Sequence, residues 1–206
     1  MRTPLLIGPL ILPIGLRVAQ QLPGSLQGIV VDASGKAMSN AIVYALPELN
    51  MLRQIRTTAD SEGRFVFKGL PEGFVYVDAF NESDGFPYNF FAFFNQSGRS
   101  ATKIEVKAGA PASDVLINLG QKAAKITITL TDADGVPIKK SMGLTFSRDE
   151  MIDIYKQSAA APYTMLVPCV PFSFSVEVEG YPLWRSERIA LQPGGMRDIP
   201  VKLQTK

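Results

Sequence analysis

Val31-Asp32-Ala33-Ser34-Gly35 returns one hundred residues later as Thr131-Asp132-Ala133-Asp134-Gly135, and this recurrence constrains the fold more than any other feature of the chain. The flanks repeat as well. Leu26 to Val31 and Lys125 to Leu130 alternate apolar and polar residues ahead of the turn, and Ala41 to Leu46 and Met142 to Phe146 are short apolar runs after it. The copies close alike, Gly109 to Leu119 with Asp114 inside and Gly194 to Leu203 with Asp198 inside. Alternation with period two belongs to strands, because successive side chains of an extended chain point to opposite faces. Arg64-Phe65-Val66-Phe67 and Phe74-Val75-Tyr76-Val77 keep that period, with turn residues recurring at intervals of about 8 to 12 positions, the mark of a sandwich. The expectation is therefore an all-β chain of two tandem β-sandwich domains, 25–120 and 123–206, joined over 120–124. One segment departs from the pattern. Met151, Ile152 and Tyr155 stand at helical spacing ahead of Ala159-Ala160-Ala161, so a short helix or irregular crossover is expected over 148–161, ended by Pro162.

Composition removes chemistry. The 206 residues include no His and one Cys, which excludes imidazole-based triads, the usual zinc and non-haem iron ligand sets, and any internal disulfide. Asp132 and Asp134 are two carboxylates on one turn, short of the six or more oxygens calcium takes. No cofactor and no metal are expected, and the chain reads as a non-enzyme. Net charge is −2 over 26–120 and +2 over 121–206, with no basic stripe for nucleic acid.

The run from Thr58 to Val77, with Asp60, Gly63, Phe65, Phe67, Leu70-Pro71, Gly73 and Tyr76, resembles the carboxypeptidase regulatory-like family of transthyretin-like sandwiches. Asp32 and Gly35 followed by Ala41 to Tyr44 are similar to that family's opening hairpin, and Ile104 to Gly109 with Val115 to Leu119 to its closing pair. The resemblance spans about residues 26–120 and implies a Greek-key sandwich sharing its general fold with carbohydrate-binding domains. Ala37 and Asn40 replace the Pro and Gly common after the family's first turn, and Asn tolerates the left-handed region. The second copy has no equivalent of Asp60, Gly63 and Phe65, which leaves its strand order open. A zinc peptidase domain, which accompanies such modules in metallocarboxypeptidases, would need histidine. Some related pilin-like sandwiches crosslink Lys to Asn; Asn118 suits that role, but Leu26 to Val31 contains no Lys.

Residues 1–24 read as a signal peptide and leader: Arg2, then an uncharged apolar stretch from Leu5 to Leu16 broken by Pro9 and Pro13. It is shorter than the roughly 20 residues of a membrane span. Export is the expected localisation, with an apolar tail that stays attached as the alternative. Asn81-Glu82-Ser83 and Asn95-Gln96-Ser97 fit the glycosylation acceptor pattern, Cys169 reads as a small buried residue with an intermolecular disulfide as the alternative, and Trp184 as core filling rather than a sugar platform.

The candidate site is aromatic. Six of the nine residues from Phe86 to Phe94 are aromatic, more than one buried strand face needs. In an extended chain Tyr88 and Phe90 share one side, while Asn89, Phe91, Phe93 and Asn95 share the other. Two readings stand: the second set is covered by the second domain or by its own loop, as intramolecular packing, or Tyr88, Asn89, Phe90, Phe91, Phe93 and Asn95 are the contacts for a protein partner or a glycan, since aromatic rings offer apolar area with few rotamers to freeze.

Overall fold

The computed structural model describes residues 24–88, 101–109, 114–148 and 151–204, with the backbone alone for 151–157. Its strands are β1 (Gly24–Val31), β2 (Ile42–Pro47), β3 (Ile55–Thr58), β4 (Arg64–Leu70), β5 (Gly73–Phe80), β6 (Thr102–Val106) and β7 (Asp114–Asn118), then β8 (Ala124–Thr131), β9 (Ser141–Arg148), β10 (Met151–Ala160), β11 (Tyr163–Val167), β12 (Ser173–Val178), β13 (Trp184–Arg185) and β14 (Met196–Lys202). They form four sheets, arranged as β-sandwich-like domains. In the first half a β4-β1-β7 sheet faces a β3-β2-β5-β6 sheet; in the second, β11-β8-β14 faces β10-β9-β12-β13. Each strand of the first half thus has its counterpart seven strands later. The strand order left open by the sequence is the same in both halves.

The repeat extends to single hydrogen bonds. Val31 bridges Ala37 and Thr131 bridges Pro137, while β1 runs parallel to β7 as β8 does to β14. The amide of Leu119 donates to Val31 O at 2.7 Å, and that of Leu203 to Thr131 O at 2.8 Å. Alternation decides what is buried. Leu26, Val30, Val43, Ala45, Phe65, Phe67, Val75, Val77, Val115 and Ile117 fill one core, and Ile126, Ile128, Leu130, Met142, Leu144, Phe146, Phe174, Val176, Ile199 and Val201 fill a second. Truncating a ring such as Phe65 or Phe146 to Ala would cost about 3–5 kcal/mol, through lost burial and the cavity left behind.

Three loops share one construction. The Oδ1 of Asp32, Asp60 and Asp132 accepts the amides two and four residues on, at 2.8–3.1 Å, and the following Gly35, Gly63 and Gly135 take positive φ. Such a carboxylate satisfies two amides that a tight reversal strands, and glycine supplies the left-handed residue. Asn40, at φ 58°, is the non-glycine exception among the described residues, as its side chain permits.

In place of the short helix or irregular crossover expected over 148–161, Met151–Ala160 is the strand β10. It pairs antiparallel with β9, Gln157 opposite Leu144 and Ala160 opposite Ser141, with a register irregularity between Met151 and Tyr155. Helical spacing was only a local signal, and pairing along a ready strand outweighs alanine's helix propensity. A turn at Ala161-Pro162 carries the chain to β11 in the facing sheet, as the Asp60 loop carries it from β3 to β4.

The joint is tethered on both sides. Ala33 N donates to Gly120 O at 2.9 Å, Ala123 N to Gly85 O at 2.8 Å and Lys125 N to Gly195 O at 2.8 Å. Among the described residues no helix is long and apolar enough to cross a membrane.

Candidate interaction face

Val43, Ala45, Val75, Val77 and Ala79 of β2 and β5 point into the first core, so alternation turns Tyr44, Tyr76, Asp78 and Phe80 to the outer face of the β3-β2-β5-β6 sheet. Tyr44 lies directly opposite Asp78, with Arg56 of β3 on its other flank. An outer face would ordinarily be wet. Tyr44 and Asp78 are nevertheless each only 2% exposed.

Tyr88 helps to cover them. Its ring lies 4.8 Å from Tyr44 and 5.1 Å from Phe80, the latter edge to face, geometries each worth about 0.5–1.5 kcal/mol beyond the area buried. Its hydroxyl accepts from Gln54 Nε2 at 2.6 Å, and Gln54 Oε1 in turn accepts from Arg56 Nε. Burial pushes the Tyr88 phenol above the usual tyrosine range, against the opposing pull of the Gln54 donor, so Tyr88 stays neutral at physiological pH. Beneath it, Tyr44 Oη donates to Asp78 Oδ2 at 3.2 Å and the Ala79 amide to Asp78 Oδ1 at 2.8 Å. Burying a carboxylate is costly unless its oxygens are engaged, and both are.

Toward the start of β5 the face becomes charged. Glu48 Oε1 accepts from Tyr76 Oη at 3.0 Å and from Lys103 Nζ at 2.6 Å. The Lys103 ammonium also sits 4.4 Å above the centre of the Phe74 ring. The hydrogen bond from Lys103, aided by Tyr76, holds the Glu48 carboxyl below its ordinary range, and the bond to Glu48 raises Lys103. Both groups are solvent-exposed, so the pairing is weak and salt-sensitive. Phe74 is the one exposed aromatic ring among the described residues, and the cation occupies one of its faces.

Of the expected contacts, Tyr88 is on this face; Asn89, Phe90, Phe91, Phe93 and Asn95 lie outside the described residues, as does the acceptor pattern at Asn95. Phe86, at the head of the segment, is buried in the first core. Asn81 is a poor glycosylation acceptor. It is 5% exposed, its amide nitrogen donates to Ser39 O and Asp84 Oδ2, and its oxygen accepts from Ser83 Oγ and the Asp84 amide. Trp184 packs on Phe174 at 5.5 Å as core filling. Cys169 is half-buried rather than fully buried, and its thiol, raised by burial, donates to Lys122 O at 3.3 Å beside the joint. Asn118 Oδ1 accepts the Gly120 amide, a turn role. Sequence reasoning missed Tyr44, Gln54, Asp78 and Lys103. Alternation alone could have placed Tyr44 and Asp78 on the outer face, but their pairing depends on a register between positions 34 residues apart.

No family model matches the chain, and no curated protein matches it. Solved structures similar to it include the Bacillus anthracis TIE protein, 16% identical with a TM-score of 0.39 over 89% of this chain and 34% of that one. The Streptococcal ancillary pilin is 9% identical with a TM-score of 0.40, over 91% of this chain and 63% of that one. GBS52, the minor pilin of the Gram-positive pathogen Streptococcus agalactiae, is 9% identical with a TM-score of 0.39, over 88% and 96%. The chain thus spans about a third of the TIE protein and under two thirds of the ancillary pilin.

Proposed function

We propose that this chain is an exported, non-catalytic interaction module made of a carboxypeptidase regulatory-like sandwich followed by a second, divergent sandwich repeat, binding a protein partner through the outer face of the β3-β2-β5-β6 sheet. The single observation that supports this is the aromatic outer face itself: Tyr44, Phe80 and Tyr88 in tilted and edge-to-face contact, with buried Asp78 bonded to Tyr44, continuing into Tyr76, Phe74 and Lys103. Tyr88 fixes the start of the aromatic segment on that face, and Asn89, Phe90, Phe91, Phe93 and Asn95 complete the contact surface in this reading. Export rests on the leader at residues 1–24, and the non-catalytic assignment on the absence of histidine and on Asp78 being held by Tyr44 and Ala79.

A glycan-binding module is the second reading, favoured by the exposure of Phe74 among polar groups. Sugar stacking needs an open ring face, however, and Lys103 caps one side of Phe74. The test is the double variant Phe91→Ser/Phe93→Ser, followed by unfolding, self-association and a glycan array. Lost association at near-native stability supports the protein-binding reading. A fall in stability of about 3–5 kcal/mol per ring, the value for core Phe truncation, with association unchanged, rejects it. Glycan hits abolished by the variant favour the second reading.

A further inference from the structure

A strand at the edge of a sheet turns one row of backbone donors and acceptors outward, and folded proteins blunt such edges with charges, prolines or irregular pairing. Among the described residues eight strands are edges, two to each sheet. Seven are blunted: Arg56, Lys68, Lys103, Asp114, Lys156 and Arg185 stand on β3, β4, β6, β7, β10 and β13, and Pro200 on β14. The eighth is β11. Tyr163-Thr164-Met165-Leu166-Val167 holds no charge and no proline, and it pairs with β8 without a shift of register.

The core beneath this edge is open as well. On β4, the counterpart of β11 in the first half, the inward Phe65 and Phe67 are each 2% exposed. On β11 the inward Tyr163 and Met165 pack against the second core yet are only half-buried, as are Ala159 near the end of β10 and Ala161 in the turn that follows. Strands β10 and β11 are edges of the two facing sheets and succeed one another in the chain, so these four apolar residues lie along one side of the second sandwich. On the outward side Thr164 is exposed, its hydroxyl 3.1 Å from that of Thr127 on β8, which leaves the border of the edge neutral.

We propose that β11 pairs antiparallel with β11 of a second copy, joining two β11-β8-β14 sheets into one sheet of six strands. The edge itself states the chemistry of its occupant, because outward amides and carbonyls in a row are matched by an extended strand. Charge then selects which strand. Each other edge of this chain would set a charge or a proline against the uncharged run, whereas a second β11 sets neither. With the two-fold axis at Met165, Met165 meets the second copy's Met165, Thr164 its Leu166 and Tyr163 its Val167. Inward residues thus meet inward residues, and both open cores are covered at once. The contact is the same patch on both copies, so it closes as a dimer and does not run on as a fibre. This goes beyond the interaction-face reading and uses none of its residues.

The test follows the mass of the full chain by light scattering over a series of rising concentrations. Expected is a passage from the monomer mass to twice that mass. Thr164→Lys, which sets an ammonium on each edge and alters only an exposed side chain, should raise the dissociation constant about tenfold or more. In a Cys169→Ser background, Met165→Cys should form an intermolecular disulfide under mild oxidation, since directly opposite residues of an antiparallel pair hold their Cβ atoms about 4.5–5.5 Å apart. Val66→Cys, exposed on β4, is the control and should not crosslink. Trp184, packed on Phe174, reports by its fluorescence that the second core of each variant is folded. A monomer mass at every concentration would overturn the proposal. So would a dimer indifferent to Thr164→Lys, or crosslinking at position 165 no faster than at 66.

Discussion

Replacing Gly63 and Gly35 separately by Ala isolates what a close backbone approach adds to the cost of positive φ. Both glycines follow an Asp60-type or Asp32-type turn at nearly the same angle, 75° and 82°. An L-residue in the left-handed region costs about 1–2 kcal/mol, so this term is common to both variants. A Cβ on Gly35 meets nothing within 4 Å, whereas one on Gly63 would lie 2.6 Å from Val30 O and 3.1 Å from Met38 N. Those two atoms are themselves hydrogen-bonded at 2.9 Å, so the methyl group must wedge into that bond. Disturbing a buried hydrogen bond costs a further ~1–3 kcal/mol, giving about 2–5 kcal/mol for Gly63→Ala against about 1–2 for Gly35→Ala. Urea unfolding followed by far-UV circular dichroism reads the difference as a midpoint lowered by roughly 0.5–1.5 M more for Gly63→Ala, at an m-value of about 2 kcal/mol/M. Trp184 fluorescence, which reports the second core, should move much less. Equal midpoints for the two variants would refute the argument from close approach.

Gly28→Ala should be more damaging still, because its Cβ would fall 2.0 Å from Val115 O and 2.8 Å from the Phe65 ring; loss of the first-half unfolding transition is the expected result, and near-native melting would contradict it. Asp60→Ala and Asp132→Ala each release two backbone amides and should cost about 1–3 kcal/mol in thermal or urea unfolding. Lys103→Met should lose a small, salt-sensitive stabilisation at neutral pH. Since the folded Glu48 is lowered, its share is present above the unfolded carboxyl range and lost as pH falls through the folded value; since Lys103 is raised, its share is lost as pH rises through the folded ammonium value. The difference between wild type and variant melting should therefore shrink toward both acid and alkaline pH, and a pH-independent difference would assign the effect to packing.

Much of the architecture was legible because it is local. Asp32, Asp60 and Asp132 act on amides two and four residues away, so a short pattern contains the whole interaction. The offset of one hundred carried strand β1 onto β8 and Leu130 onto Val30, and period two assigned Phe65 and Phe67 to the core. What failed was non-local. Met151–Ala160 took its conformation from β9, and no window around Tyr155 contains that partner. The outer face was half legible: the aromatic density near Tyr88 pointed to it, but the Tyr44–Asp78 pair and the Lys103 cap join positions brought together only by sheet register.

The claim that the outer face of the β3-β2-β5-β6 sheet is the binding surface is tested most directly by a photo-crosslinking amino acid placed at Phe74, with Leu116 as the control, in the intact producing cells. Both sites are exposed, and they lie on different sheets of the first sandwich. A discrete protein adduct from position 74, absent from position 116 and lost on Lys103→Glu, is the predicted result. Adducts of equal yield from both positions, or none from position 74, would contradict it.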